Sequence, residues 1–240
     1  MKILKSSLLA AAAMFVSISV QAQTADEVIN KYLDAIGGRA VISQVKSLYI
    51  ENETAVMGSA LSGNVSLLVG KGYKTETDFN GQKIIQCVTD NGGWMINPMS
   101  GNAAPQSMPD ELYNEGKDNL QIGAPLINYA ENGSKVELVG KETLDSMSVY
   151  KLKLTDKNND ESDFYIDANT YYLVKITKTL ASEQIDVTVT FSNYQKTAIG
   201  YVLPFTSEVS MSNGTDMTIT IKKIVVNQEI DPKIFEKPVE

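Results

Sequence analysis

The chain has 240 residues, with 21 lysines and arginines against 29 aspartates and glutamates, a net charge of −8, one cysteine and no histidine. Such an acidic balance makes nucleic acid or an anionic membrane surface a poor partner. The missing histidines exclude Ser-His-Asp triads, Cys-His dyads and histidine-ligated zinc, and a lone cysteine excludes an intramolecular disulfide, so stability has to come from a core.

Residues 1–22 read as a cleaved secretory signal. Lys2 and Lys5 precede an apolar run from Leu8 to Val16, and Val20-Gln21-Ala22 offers a small-residue exit. Ser17 and Ser19 interrupt the run short of the roughly 20 apolar residues that a spanning helix needs. Cleavage leaves 19 basic and 29 acidic residues in 23–240, a length suited to a single all-β domain. Cys87 lies too far inside the chain to carry a lipid anchor, so the mature protein is expected to be soluble and periplasmic, without stable membrane insertion.

Thr24-Ala25-Asp26-Glu27 predicts a capping box, and behind it Val28, Ile29, Tyr32, Leu33 and Ile36 recur at helical spacing until Gly37-Gly38 stops the helix. A further short turn of helix is expected at 39–44. From there the pattern changes to alternation of apolar and polar residues, clearest at 72–79, where Tyr73, Thr75, Thr77 and Phe79 oppose Lys74, Glu76 and Asp78. Strands are predicted near 46–57, 61–70, 72–79, 83–89 and 93–97. After a gap they resume near 135–142, 147–155, 162–167, 171–180, 184–194, 202–212 and 215–227. Tight turns such as Asn80-Gly81 and Asn213-Gly214 favour up-and-down neighbours.

The gap, 99–133, lacks strand alternation and contains Pro105, Pro109 and Pro125, with helix starts at 107–110 and at Pro125. An excursion of this length predicts a lid or binding loop. Trp94, Met95, Met99 and Met108 concentrate adaptable apolar surface beside it.

No motif supplies catalytic chemistry. There is no Gly-x-Ser-x-Gly elbow, and Gly70-Lys71-Gly72 lacks the further glycine of a phosphate loop. Paired carboxylates for glycoside hydrolysis remain formally available, yet acidic residues on alternating strands are more simply solvated faces. The stretch from Asp156 to Asp167 mimics the oxygen spacing of a calcium loop, but Glu161 stands where the sharp turn needs glycine, so a polar hairpin turn is expected there. Cys87 is expected to be a buried apolar residue. The sequons at Asn52, Asn64, Asn132 and Asn213 fit turns and edges equally well.

The order of parts resembles the periplasmic lipoprotein carriers of the LolA/LolB type. The likeness rests on the helix ending Ala35-Ile36-Gly37-Gly38, the mid-chain helical interruption, and the stretch 164–174 running from Phe164-Tyr165-Ile166-Asp167 to Tyr171-Tyr172-Leu173-Val174. Phe191-Ser192-Asn193-Tyr194, Gly200-Tyr201-Val202-Leu203-Pro204-Phe205 and the ending at 226–231 with Phe235 and Pro238 extend it. The resemblance implies a mainly β protein with a few helices: an unclosed antiparallel β-barrel, a curved half-barrel covered on its concave side by the N-terminal helix and a mid-chain helical lid. It also implies a concave side that holds acyl chains. Those carriers are expected to keep an arginine inside the cavity, whereas the only arginine here is Arg39, beside the N-terminal helix.

Together these readings predict a non-enzymatic envelope carrier, monomeric and without cofactor or metal. It would hold a lipid, a lipoprotein acyl chain or another hydrophobic ligand, with an envelope protein as a further possible partner. The candidate cavity residues are Tyr73, Phe79, Trp94, Ile96, Met99, Met108, Leu112, Phe164, Tyr172, Val187 and Phe205. The alternative is a structural or interaction module whose concave face is filled by its own helices.

Overall fold

The computed structural model describes residues 23–238 apart from Ala124 and 181–183, so the expected signal segment lies outside the described residues. Helix α1, Ala25–Ala35, begins with the expected capping box: the Thr24 hydroxyl accepts from the Glu27 amide and the Glu27 carboxylate from the Thr24 amide, each at 3.2 Å. It ends where the Gly38 amide donates to the Leu33 carbonyl at 2.8 Å. Gly37 has a φ of +121°, and a Cβ there would stand 2.7 Å from the Gly200 carbonyl oxygen, so glycine is required for both the turn and the close approach. A short α2, Arg39–Ile42, follows.

Among the described residues thirteen strands form one antiparallel sheet. They are β1 Ser47–Val56, β2 Ser59–Leu68, β3 Gly72–Phe79, β4 Gln82–Thr89, β5 Gly92–Asn97 and β6 Asn102–Ser107, then β7 Lys135–Leu144, β8 Met147–Thr155, β9 Glu161–Asp167, β10 Leu173–Leu180, β11 Ile185–Lys196, β12 Val202–Met211 and β13 Asp216–Val226. The order β6-β5-β4-β3-β2-β1-β13-β12-β11-β10-β9-β8-β7 makes two up-and-down meanders that meet where β1 pairs with β13. β6 and β7 remain as edges, so the barrel is unclosed.

β6 corrects one expectation. The mid-chain excursion does not start at 99; residues 102–107 form an edge strand despite Pro105, which is tolerated because an edge strand needs ladder partners on one side only. The helical cover is therefore 108–133. It consists of α3, Asp110–Gly116, a 3₁₀ turn at Lys117–Leu120, and turns at 122–123 and 125–133, where Pro125 does not start a helix.

Pairing sets the two faces. Leu48, Leu67 and Tyr73 lie opposite one another across β1–β3, and Leu152, Phe164 and Ile176 across β8–β10. Both sets belong to one large core with Val28, Ile29, Tyr32 and Leu33 of α1, with Ile36 just past its end, and with Ile122 and Leu126 of the cover. A second, smaller core lies on the outer face, where Ile85, Cys87 and Trp94 meet Phe235 from the C-terminal 3₁₀ turn Pro232–Phe235. Among the described residues no helix is long and apolar enough to cross a membrane.

Candidate functional site: a covered apolar chamber

A cavity of about 430 Å³ lies inside the large core. Its walls are Leu48 and Ile50 of β1, Val65 and Leu67 of β2, and Tyr73 of β3 on one side, with Phe164 of β9, Ile176 of β10 and Val189 of β11 on the other. β3 and β9 stand seven places apart in the sheet order, about 34 Å if the sheet were flat. Their side chains reach one chamber only because the sheet curls, so the chamber is a product of curvature. Alternation put these side chains on one face, since each wall residue is separated from the next on its strand by a polar or outward-facing neighbour.

The roof is Ile122, Gly123 and Pro125 of the cover, with Tyr201 closing the side near α1. Burial pushes the phenols of Tyr73 and Tyr201 up to about 12, so both hydroxyls stay uncharged across the physiological range. The polar side chains Glu115, Asp118, Asn119, Gln121, Ser162 and Lys178 complete the lining. Lys178 reaches the concave face because it sits two residues beyond Ile176 on β10, opposite Ser162 and Val187. Desolvation raises the pKa of Asp118, against the opposing pull of Lys178.

The cover is pinned from several directions. The Arg39 guanidinium donates to the Ile127 carbonyl at 3.2 Å, Tyr129 donates to Asp26 of α1 at 2.6 Å, and Tyr113 donates to the Thr89 carbonyl at 3.0 Å. The Gly70 amide donates to the Leu120 carbonyl at 2.8 Å. Leu126 is 1% exposed and anchors the segment in the core. Arg39, the only arginine, thus holds the cover from outside the chamber.

The structure separates the candidate cavity residues. Tyr73 and Phe164 line the chamber. Val187, Phe205 and Tyr172 are on its side of the sheet or in the same core without lining it, and Tyr172 stacks on Tyr194 at 4.2 Å. Phe79 shares the face of Tyr73 but lies at the far end of β3, half-buried opposite Gln82. Trp94 and Ile96 face the other way. Trp94 pairs with Cys87, which pairs with Lys74, the neighbour of Tyr73, so the two-residue period puts Trp94 outside. There its indole donates to the Phe235 carbonyl at 2.7 Å. Met99 is exposed in the turn Pro98–Ser100, Met108 packs over Gly93 in a separate groove with Trp94 and Tyr113, and Leu112 is half-buried in α3.

The resemblance to a calcium loop dissolves into two turns. Asp156 accepts from the Asn158 and Asp160 amides, both at 2.8 Å, while Asp167 accepts from the Asn169 amide at 2.9 Å and the Thr170 hydroxyl at 2.7 Å. Among the described residues no group of three or more His, Cys, Asp or Glu side chains is arranged to hold a metal ion.

A domain from Vibrio parahaemolyticus described as an outer membrane lipoprotein-sorting protein superposes with a TM-score of 0.62 at 15% identity, over 87% of this chain and 96% of its own. A LolA superfamily protein from Nitrosomonas europaea superposes at 0.60 and 14% identity, over 90% and 99% of the two chains. The chain has the LolA-type fold. A DUF1329 family protein from Desulfovibrio piger shares it at a TM-score of 0.55 and 13% identity, over 88% and 96%. A family model described only as an uncharacterized protein matches residues 128–239. No curated protein matches the sequence. At these identities the likeness covers the LolA-type fold and not its cargo.

Proposed function

We propose that this chain is an exported, soluble binding protein of the bacterial envelope that holds one apolar chain, from a lipid or an acylated protein, and performs no chemistry on it. The observation that carries this reading is the apolar chamber roofed by Ile122, Gly123 and Pro125. Its volume of about 430 Å³ falls within the usual span of small-molecule sites, roughly 300–1,000 Å³. Each methylene transferred into it would contribute about 0.8 kcal/mol before ordering costs are subtracted. The LolA-type fold and the predicted signal at 1–22 support the same reading, and a carrier needs no catalytic residues.

Native mass spectrometry of the protein purified from its periplasm, before and after organic extraction, tests it. A lipid-sized adduct that extraction removes is expected. Filling the chamber with Val65→Trp and Val189→Trp should abolish the adduct while a cooperative melt remains. No adduct in the parent protein, together with no uptake of added acyl chains, would leave an interaction module whose chamber is closed by its own cover.

A further inference from the structure

At its β9–β10 end the chamber adjoins a second recess. Five of the chamber's lining residues, Glu115, Asp118, Pro125, Ser162 and Lys178, also line this vestibule of about 280 Å³. Beyond them the vestibule carries Glu111 from α3 and Asp156, Asp160 and Glu161 from the β8–β9 hairpin. Lys178 is the one cation among the described residues that line it, against six carboxylates. Lys117 and Lys157 act on Asp118, but neither lines the chamber or the vestibule. Asp156 already caps its own turn and Glu161 pairs with Lys153 at 2.8 Å. Their charge nonetheless adds to the field in a concave recess with low-dielectric walls.

Another groove, of about 520 Å³, has the opposite character: among the described residues Arg39, Lys46 and Lys71 line it and no carboxylate does. It shares only Gln121 and Ile122 with the chamber, and Ile122 is buried in the core. The chamber thus has five lining residues in common with the acidic vestibule and two with the basic groove, while a third groove of about 440 Å³ shares Asp118, Gln121 and Pro125 with it and carries Lys117 and Lys157 beside Asp90 and Asp156.

Resting on the binding function proposed above, we infer that the ligand is an amphiphile with a cationic polar end, its tail in the chamber and an amine or quaternary ammonium in the vestibule. The chamber is the site, and the carboxylates decide which polar end it accepts. A cation entering there gives Asp118, whose charge desolvation disfavours, a partner that the free protein supplies only in part. An anionic head would face the same carboxylates at close range.

Calorimetric titration of the protein comprising residues 23–240 with decyltrimethylammonium, decyl maltoside and decanoate, each below its micellar concentration, tests the inference. The three share a tail and differ in head charge. The ammonium is expected to bind about tenfold tighter than the maltoside at low salt, and decanoate weakest. The gap should narrow at about 0.5 M salt, where screening shortens the reach of the field. Glu111→Lys combined with Asp160→Lys, two positions that line the vestibule and not the chamber, should bring decanoate above the ammonium. Binding of the uncharged maltoside reports that the variant is folded. Equal binding of all three heads, or preference for decanoate in the parent protein, overturns the cationic assignment and leaves the chamber standing. Failure of all three to bind overturns the binding function and the inference with it.

Discussion

Glu76 on the outer face of β3 lies 2.7 Å from both Lys74 and Lys83. Burial alone would raise its pKa, but hydrogen bonds from the two ammonium groups outweigh that and hold the carboxyl down to about 2, from an ordinary 4.5. A depressed folded-state pKa contributes stability that is present above the ordinary value and lost as pH falls toward the folded one. Melting temperature is therefore expected to fall between pH 4.5 and 2, the window bounded by those values, and Glu76→Gln should flatten that segment of the curve. An unchanged slope in the variant would assign the acid sensitivity to other groups. A few residues away, burial pushes the Cys87 thiol up to about 11. Ellman's reagent should consequently fail to label Cys87 at pH 8 until denaturant unfolds the chain, and rapid labelling of the native protein would contradict the packing described. The same outer core explains Gly72, where a Cβ would meet the Phe235 ring at 2.4 Å. Gly72→Ala should cost about 1–3 kcal/mol through displacement of that ring, measured by chemical denaturation.

At the level of elements, α1 and the cover act as parts of the core. Leu33 is 1% exposed, and Leu33→Asp should lower stability by several kcal/mol, roughly 3 or more, because the buried carboxylate has no partner. Thermal melting checks this, and an unchanged midpoint would mean that α1 does not cover the sheet. α1 is also tied to the second meander by the Val202 amide, which donates to the Ile36 carbonyl at 2.9 Å, and by Lys31, which donates to the Tyr171 hydroxyl at 3.1 Å. Most strands were legible in the sequence because their alternation is local. β6 was not, since Pro105 argues against a strand unless one knows that it lies at an edge. Both edges are guarded: β6 by Pro105 and an irregular register opposite β5, β7 by a bulge at 138–140 and by Lys135, Glu137, Lys141 and Glu142.

For the whole molecule, the assignment of faces decides which probe can see a ligand. Trp94, the sole tryptophan, lies on the outer face and bonds to Phe235, so its emission should stay constant when a ligand fills the chamber. Tyr73→Trp in a Trp94→Phe background places an indole in the chamber wall, and its emission should shift on saturation with decyl maltoside. A shift of Trp94 with none from position 73 would move the binding site to the outer face. Ile122, Gly123 and Pro125 roof the chamber within a cover held by Arg39, Tyr113 and Tyr129. Hydrogen exchange across 108–133 should therefore slow when the chamber is occupied, because a ligand favours the closed population.

What the sequence determined by itself were the properties set over a few residues: the capping box at Thr24, the strand alternation, the turns, and the absence of histidine chemistry. The two-sided apolar run at 84–88 also carried a signal for the outer core, since Ile84 and Val88 occupy one face while Ile85 and Cys87 occupy the other, and a strand apolar on both faces has to be covered on both. Tertiary structure alone decided that Tyr73 and Phe164 line one chamber while Trp94 does not, and that Leu48, Val65, Ile176 and Val189 join them. The physical reason is that alternation fixes parity only within one strand. Which parity meets the cover, and which strands meet across the chamber, follow from register summed over the sheet and from its curvature, and neither is a local quantity.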